Sequence, residues 1–433
     1  MTPVEQSRNE TKAQKAFSPA ILVSVVCVAQ IFVQLGSYAF PALLPDFIDR
    51  WALDNSQAGT ITAAFYAGYT LAVPFLVTLT DRIDPKGVYL FGVACIITSY
   101  LAFGFLADGF WGAAICRTLT GIGWAGTYMT GLKMLADRVD GPLMTRAVSW
   151  HAAGIGIAGA LSYVVSDGLD ALIGWRWAFY VLALSATLAW IAVALVVPAK
   201  PPARAPSQAT GGADRPRLFD FRPVFRNRSA MAYSIGYCVH TWEMMALKGW
   251  AVAFLTFIAL RSDESDLFLP PTAIATIVIL FGVVTSFSGN EMSIRFGRQR
   301  LVRIAMGATI LLAATMGFYA TSSYLAASLF ILAYTGFVWL DSSSLTAGSA
   351  ASADPSRRGA TLAIHSMLGY GGGFVGPLAF GVVLDWTGGM SPEAWGYAFA
   401  HIAGVVLVGR VLFGILRPRD VAGDRATMST SKG

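Results

Sequence analysis

Twelve apolar stretches constrain this chain more than any single motif does. They run over roughly 18–44, 55–80, 86–106, 109–137, 143–169 and 175–198, and then over 229–260, 271–290, 300–319, 322–351, 357–386 and 393–416. About 20 apolar residues suffice for a helix to cross a bilayer. Backbone polar groups in lipid find partners only within helices or closed barrels, and continuous runs of this length fit helices. Charged residues make up 13% of the chain, about half the share of a soluble domain. One soluble core cannot absorb so much apolar surface. The fold class is therefore read as an all-α membrane protein with twelve transmembrane helices, numbered here as spans 1 to 12.

Basic residues set the expected orientation. With the N-terminus inside, 24 of the 31 Lys and Arg fall in the tails and connections of one face, against Arg50, Arg176 and Arg261 on the other. Arg117, Lys133, Lys248 and Arg410 lie inside spans or near their ends. This bias places both termini in the cytoplasm, and it accounts for the basic balance without nucleic acid as a partner. The outer connections are acidic, as in Asp263-Glu264-Ser265-Asp266. The run after Phe17 is too long for a signal-peptide core and is read as span 1.

The division expected from these runs is a tail over 1–17, a six-helix bundle over 18–198, a linker over 199–228, a second bundle over 229–416 and a tail over 417–433. The linker begins with a Pro- and Ala-rich stretch and Gly211-Gly212, which reads as flexible. Its second half, with Phe219, Phe221, Val224 and Phe225 among arginines, is expected to form a short helix on the membrane surface. The four cysteines, Cys27, Cys95, Cys116 and Cys238, lie within apolar runs without metal-ligand spacing and read as packing residues. No phosphate-cradling loop, metal cluster or nucleophile elbow is present in the sequence. An enzyme, a cofactor and a metal are therefore not expected.

Several ordered motifs resemble the major facilitator superfamily. After span 2 comes Thr80-Asp81-Arg82-Ile83-Asp84-Pro85-Lys86, similar to the family's Gly-x-Leu-Ala-Asp-Arg-x-Gly-Arg-Arg loop, with Val77 and Asp84 in place of its two glycines. After span 8 the chain keeps the Arg-x-Gly-Arg half, Arg295-Phe-Gly297-Arg298, without the aspartate. Span 4 carries Arg117-x-x-x-Gly121-x-Gly123, and span 6 opens with Gly174-Trp-Arg-Trp-Ala-Phe179. The Gly-x-x-x-Gly-Pro signature of antiporters is incomplete in span 5, where Gly154, Gly156 and Gly159 lack the proline. The resemblance implies two pseudo-symmetric bundles that open alternately to each side around a midplane cavity. It also implies a gating role for Asp81, Arg82, Arg295 and Arg298, which otherwise read as charges of the inner face.

Ionisable residues inside spans are costly and mark functional candidates. Arg117 lies about eight residues into span 4. It either binds an anionic substrate, tunes a neighbouring acid or clasps its own bundle. In span 7, His240 and Glu243 share one face, which makes them a proton-relay candidate. Lys248 lies five residues from Glu243, about 140° around the helix, and shares its face with Tyr237, Thr241 and Met244. Asp341, in the middle of span 10, is a proton carrier, a partner for Lys248 or Arg117, or a group at a helix irregularity. Gln30, Gln34 and Tyr38 recur every four residues in span 1 and are expected to form one polar stripe facing the substrate. Tyr66, Tyr69, Tyr128 and His365 are weaker candidates, and His151 is set aside as close to the inner end of span 5.

These residues lead to one expectation: a monomeric secondary transporter of the inner or plasma membrane. It takes up a small organic anion, such as a carboxylate, bound by Gln30, Gln34, Tyr38, Arg117, Tyr237 and Lys248. Protons couple through His240, Glu243 and Asp341. Proton-coupled export of amphipathic or cationic compounds is the first alternative, and a membrane sensor or scaffold that moves nothing is the second.

Overall fold

The computed structural model describes residues 17–80, 82–199, 221–262, 267–354 and 357–418. Asp81, the acidic connection at 263–266 and most of the expected linker lie outside them. No strand occurs among the described residues, and the helices follow the apolar runs closely. Span 2 is Asn55–Leu79, span 3 Pro85–Leu106, span 5 Gly141–Ile173 and span 6 Trp175–Val196. Span 7 is Arg228–Ala259, span 8 Pro271–Phe296, span 9 Arg298–Tyr319, span 11 Arg358–Trp386 and span 12 Pro392–Leu416. Span 8 extends six residues beyond the apolar run. Glu291 and Arg295 pair there at 2.8 Å, four residues apart, so charge ends the hydrophobic stretch without ending the helix.

Three spans are interrupted. Span 1 consists of Pro19–Gln34, Ala39–Ala42 and Leu44–Trp51, span 4 of Phe110–Ala125 and Tyr128–Ala136, and span 10 of Tyr324–Leu340 and Ser342–Ser352. In span 4 the break lies where Gly126 meets Gly92 of span 3 backbone to backbone. Side chains there would hold the helices apart, so small residues permit the contact. Several helix starts carry side-chain caps. Asp54 and Gln57 form a reciprocal capping box at span 2, and Asn227, Ser323 and Ser391 cap spans 7, 10 and 12. The described part of the linker forms only the short helix Arg222–Arg226, with Val224 buried and Phe225 exposed.

Close backbone contact holds each bundle together. A methyl group on Gly121 would strike Phe65 O, and one on Gly68 would strike Thr118 O, which locks span 4 onto span 2. The second bundle repeats the arrangement, with Gly289 of span 8 against Leu340 O of span 10. Large apolar side chains such as Leu71, Phe75, Leu195, Val284, Leu311 and Val408 are exposed around the outside, as a lipid-facing surface requires.

Twelve crossings bring both ends of the helical body to one face, called the terminal face here; the opposite face is the distal one. Most hydrogen bonds described between the bundles lie in the distal half; near the middle, Tyr69 of span 2 also meets Tyr370 of span 11, ring centroids 4.2 Å apart. Asp385, at the end of span 11, accepts from the backbone N and Nδ2 of Asn55 at 3.1 and 2.8 Å. It also accepts from the backbone N and Oγ of Ser56 at 2.7 and 2.5 Å. The first turn of a helix has unsatisfied N–H groups and favours negative charge, and here a carboxylate of the other bundle supplies it. Thr272 donates to Asp167 at 2.8 Å and Thr276 to Ala160 O at 3.0 Å. The bundles are clasped distally.

Candidate functional site

Directly beneath this clasp, side chains of both bundles converge on Tyr38. The span 1 break places its ring in a stack with Tyr163 of span 5, centroids 5.4 Å apart. Lys248 of span 7 donates to Tyr38 Oη at 3.3 Å, and its ammonium lies 4.6 Å from the centre of the Trp339 ring. Tyr163 in turn donates to Lys248 O at 2.6 Å. The Tyr66 hydroxyl lies against that of Tyr38 and within electrostatic reach of Arg117.

Arg117 is 3% exposed. It donates from Nη1 to Ser37 O at 3.0 Å and lies over the Phe65 ring at 4.8 Å, while its Nε has no hydrogen-bond partner. Neither Arg117 nor Lys248 has a carboxylate within ion-pair distance among the described residues. Two cations, one from each bundle, thus share a cage of tyrosines without an internal counter-ion. Asp341 is a partner for neither.

The polar stripe of span 1 is not continuous. Gln30 is fully buried against Tyr89 of span 3. Gln34 accepts from Ser37 at 2.7 Å and donates to Thr127 at 3.5 Å, joining the break in span 1 to that in span 4. The helix ends at Gln34, so the four-residue spacing does not carry the face on to Tyr38. Of the three, Tyr38 reaches the other bundle.

The acids of the second bundle sort differently from the expectation. His240 does not pair with Glu243, although they share a helix face. Its Nδ1 lies 3.0 Å from Asp341 Oδ1, an ion-pair distance outside hydrogen-bond geometry. Asp341 occupies the break in span 10, which turns its side chain towards span 7. Glu243 accepts from Tyr334 of span 10 at 3.1 Å and also meets Thr309 of span 9. Tyr237 is stacked between His365 and His240, at 4.2 and 5.8 Å, and His365 reaches Thr346 at 3.3 Å. This cluster lies inside the second bundle. Glu243, His240, Asp341 and His365 are at most 2% exposed.

The gating set is dispersed. Arg82 is exposed and Asp81 lies outside the described residues. Arg295 pairs within its own helix. Arg298 is buried and donates to Ser344 O at 3.2 Å, a contact within the second bundle. Asp84, which stands where the family motif has glycine, caps span 3 and holds Arg138 at 2.7 and 2.8 Å. Arg138 also donates to Pro198 O, so this cross-link ties spans 3, 4 and 6 together. His151, set aside above, is 1% exposed and stacked on Tyr128. The sequence reading missed Asp385, Tyr163, Tyr334 and Trp339. The local signal near the clasp is Asp54-Asn55-Ser56, a helix start, and such a signal carries nothing about a partner 330 residues away.

Two interrupted bundles meeting over buried ionisable groups define a multi-pass membrane protein with a transporter fold. Residues 26–340 match the Major Facilitator Superfamily, and the chain belongs to that family. Its similar relatives include the human "Protein spinster homolog 1", 25% identical over 279 residues, covering 62% of this chain and 52% of the relative. The mouse "Sphingosine-1-phosphate transporter SPNS2" is 22% identical over 275 residues, 61% of this chain and 49% of the relative. The chain spans about half the length of the curated relatives it matches. Among solved structures, the nucleoside transporter NupG aligns with a TM-score of 0.70 at 15% identity, covering 92% of this chain and 98% of that one. A bacterial homologue of the human lysosomal transporter Spinster, inward-facing and unoccupied, aligns with a TM-score of 0.69 at 15% identity, covering 92% and 95%. At such identities these structures share the fold.

Proposed function

We propose that the chain is a proton-coupled secondary transporter of an organic anion, working by alternating access with its termini in the cytoplasm. The observation that carries this reading is the pair Arg117 and Lys248, which meet around Tyr38 with no acid between them. A guanidinium stays protonated when buried and demands a counter-charge. A carboxylate or phosphate entering from the terminal face, below the closed distal clasp, meets both cations and several tyrosine hydroxyls. Charge-assisted hydrogen bonds to Arg117 and Lys248 would orient it, while Phe65 and Trp339 offer apolar contact to the rest of the molecule.

Proton coupling runs through His240 and Asp341, with Glu243 and Tyr334 beside them. The imidazole at 3.0 Å from the carboxylate is an ion pair when protonated and loses that attraction when neutral. Proton binding can therefore bias the break of span 10, a two-state element of the kind switches use. The protein acts as a monomer in the cytoplasmic membrane, and import of a small anion is the favoured direction.

A second reading keeps the site and reverses the direction, with a lipid-like phosphate as cargo. It is favoured by the relative named as a sphingosine-1-phosphate transporter and by the aromatic lining. In proteoliposomes with an imposed pH gradient, carboxylates and single-chain phosphate amphiphiles are compared in both directions. Gradient-driven movement of an anion is the expected result. Movement that ignores the gradient removes proton coupling, and no movement of any anion overturns the anion reading and leaves export of cationic compounds or a sensor or scaffold.

A further inference from the structure

Arg410 lies six residues before the end of span 12, and Arg303 five residues into span 9. At 1.5 Å per residue both are about 7–9 Å in from the helix ends on the terminal face. They adjoin each other, with Arg410 Nε donating to Arg303 O at 3.3 Å. Both are exposed, and neither has a carboxylate partner among the described residues. Arg303 donates to Gln299 at 3.4 Å, a neutral partner.

The surroundings are apolar and equally exposed. Ile304 and Leu311 flank Arg303 along span 9, and Leu407 and Val411 flank Arg410 along span 12. A methyl group on Gly307 would come within 3.8 Å of Arg410 Nε, and one on Gly414 would meet nothing within 4 Å. The Arg410 side chain therefore lies across a shallow groove between the two helices. An arginine near a helix end ordinarily extends along the helix to reach water. Here the Nε bond to the backbone of span 9 holds the guanidinium in place instead. Two exposed like charges thus sit on neighbouring helix turns in an apolar surface, with no carboxylate among the described residues to offset them, and an anion held by both would relieve their repulsion.

We infer that Arg303 and Arg410 bind the headgroup phosphate of an anionic phospholipid in the leaflet of the terminal face. The two planar forks suit phosphate oxygens, and the exposed aliphatic residues on both helices meet the acyl chains. A soluble acidic peptide would leave that apolar border uncovered. Basic pockets between transmembrane helices on the cytoplasmic side hold such headgroups.

The test uses the full chain, purified in detergent and titrated with phosphatidylglycerol or phosphatidylcholine under native mass spectrometry. The variants are Arg303→Gln with Arg410→Gln, and Arg146→Gln as an exposed arginine elsewhere. Phosphatidylglycerol affinity is expected to fall on the order of 30-fold in the double variant, two charges' worth, and to be unchanged by Arg146→Gln. Phosphatidylcholine binding should be weak in all forms. Thermal unfolding in lipid-free detergent checks that the double variant is folded; otherwise Arg410→Gln alone should show a loss of roughly fivefold. Equal phosphatidylglycerol affinity in wild type and variants would overturn the site. So would equal retention of phosphatidylcholine, and displacement of the lipid by millimolar inorganic phosphate would identify a free-anion site instead.

Discussion

Asp385 and Ser56 are joined across the bundles by two hydrogen bonds to one carboxylate oxygen, 2.7 Å from the backbone N and 2.5 Å from Oγ. The carboxylate caps the first turn of span 2, which Asp54 also caps from within. An alternating-access cycle must break the contact with Asp385 each time the distal face opens. The capping box within span 2 can persist.

Asp385→Asn removes the charge but leaves one acceptor. A hydrogen bond to a charged group contributes about 1.5–3 kcal/mol, so the equilibrium should shift towards the distally open state by roughly ten- to hundredfold. Labelling of Thr62→Cys by an impermeant maleimide reports this, because Thr62 is 1% exposed beneath the clasp. An unchanged labelling rate would show that the clasp does not hold the closed state.

Lys248→Met keeps the apolar stem and removes the charge beside Tyr38. Anion affinity is expected to drop roughly ten- to hundredfold, the cost of one charge-assisted hydrogen bond. Binding is measured by calorimetry on the purified protein, with a neutral analogue of the anion as control. Equal losses for both ligands would assign Lys248 to packing.

Asp341→Asn takes away the partner of His240 and leaves Glu243 with Tyr334. Gradient-driven transport should fall at least about tenfold while anion exchange without a gradient persists, the pattern of a group whose protonation biases a two-state element. Glu243→Gln tests the neighbouring acid separately. If both variants retain the pH dependence of transport, the proton route lies elsewhere.

Gly121→Ala and Gly381→Ala introduce the same methyl group with different consequences. At Gly121 it meets Phe65 O within the first bundle, whereas at Gly381 it meets Asn55 O of the opposite bundle. The first should lower the unfolding free energy by about 1–3 kcal/mol, the usual cost of overpacking. The second can be relieved by separating the bundles distally, so it should raise Thr62→Cys labelling more than it lowers the melting temperature. A reversal of these two effects would mean that the bundle boundary is misassigned.

Much of the candidate site was legible in the residues and little of its pairing. Arg117, Lys248, Asp341 and Glu243 stood out because charge inside an apolar run is costly wherever it occurs. Which group each one meets was not readable. His240 and Glu243 share a face by helical periodicity, yet the break at Asp341 brings span 10 to His240, and Tyr334 takes Glu243. The Gln30, Gln34 and Tyr38 stripe failed for a related reason, because the periodicity assumed a helix that ends at Gln34.

By itself the sequence determined the number of spans, nearly all their limits and the face that gathers basic charge. These are properties of length, hydropathy and local capping, each set within some 20–30 residues of chain, and they do not depend on which helix lies next to which. Tertiary structure decided the rest. Asp385 at the start of span 2, Lys248 at Tyr38 and Arg410 against span 9 join residues more than 100 positions apart, brought together by glycine-mediated backbone contact and helix breaks. In lipid, helix association rests on such close packing rather than on burial from water, and its pairings leave little trace in a run of apolar residues.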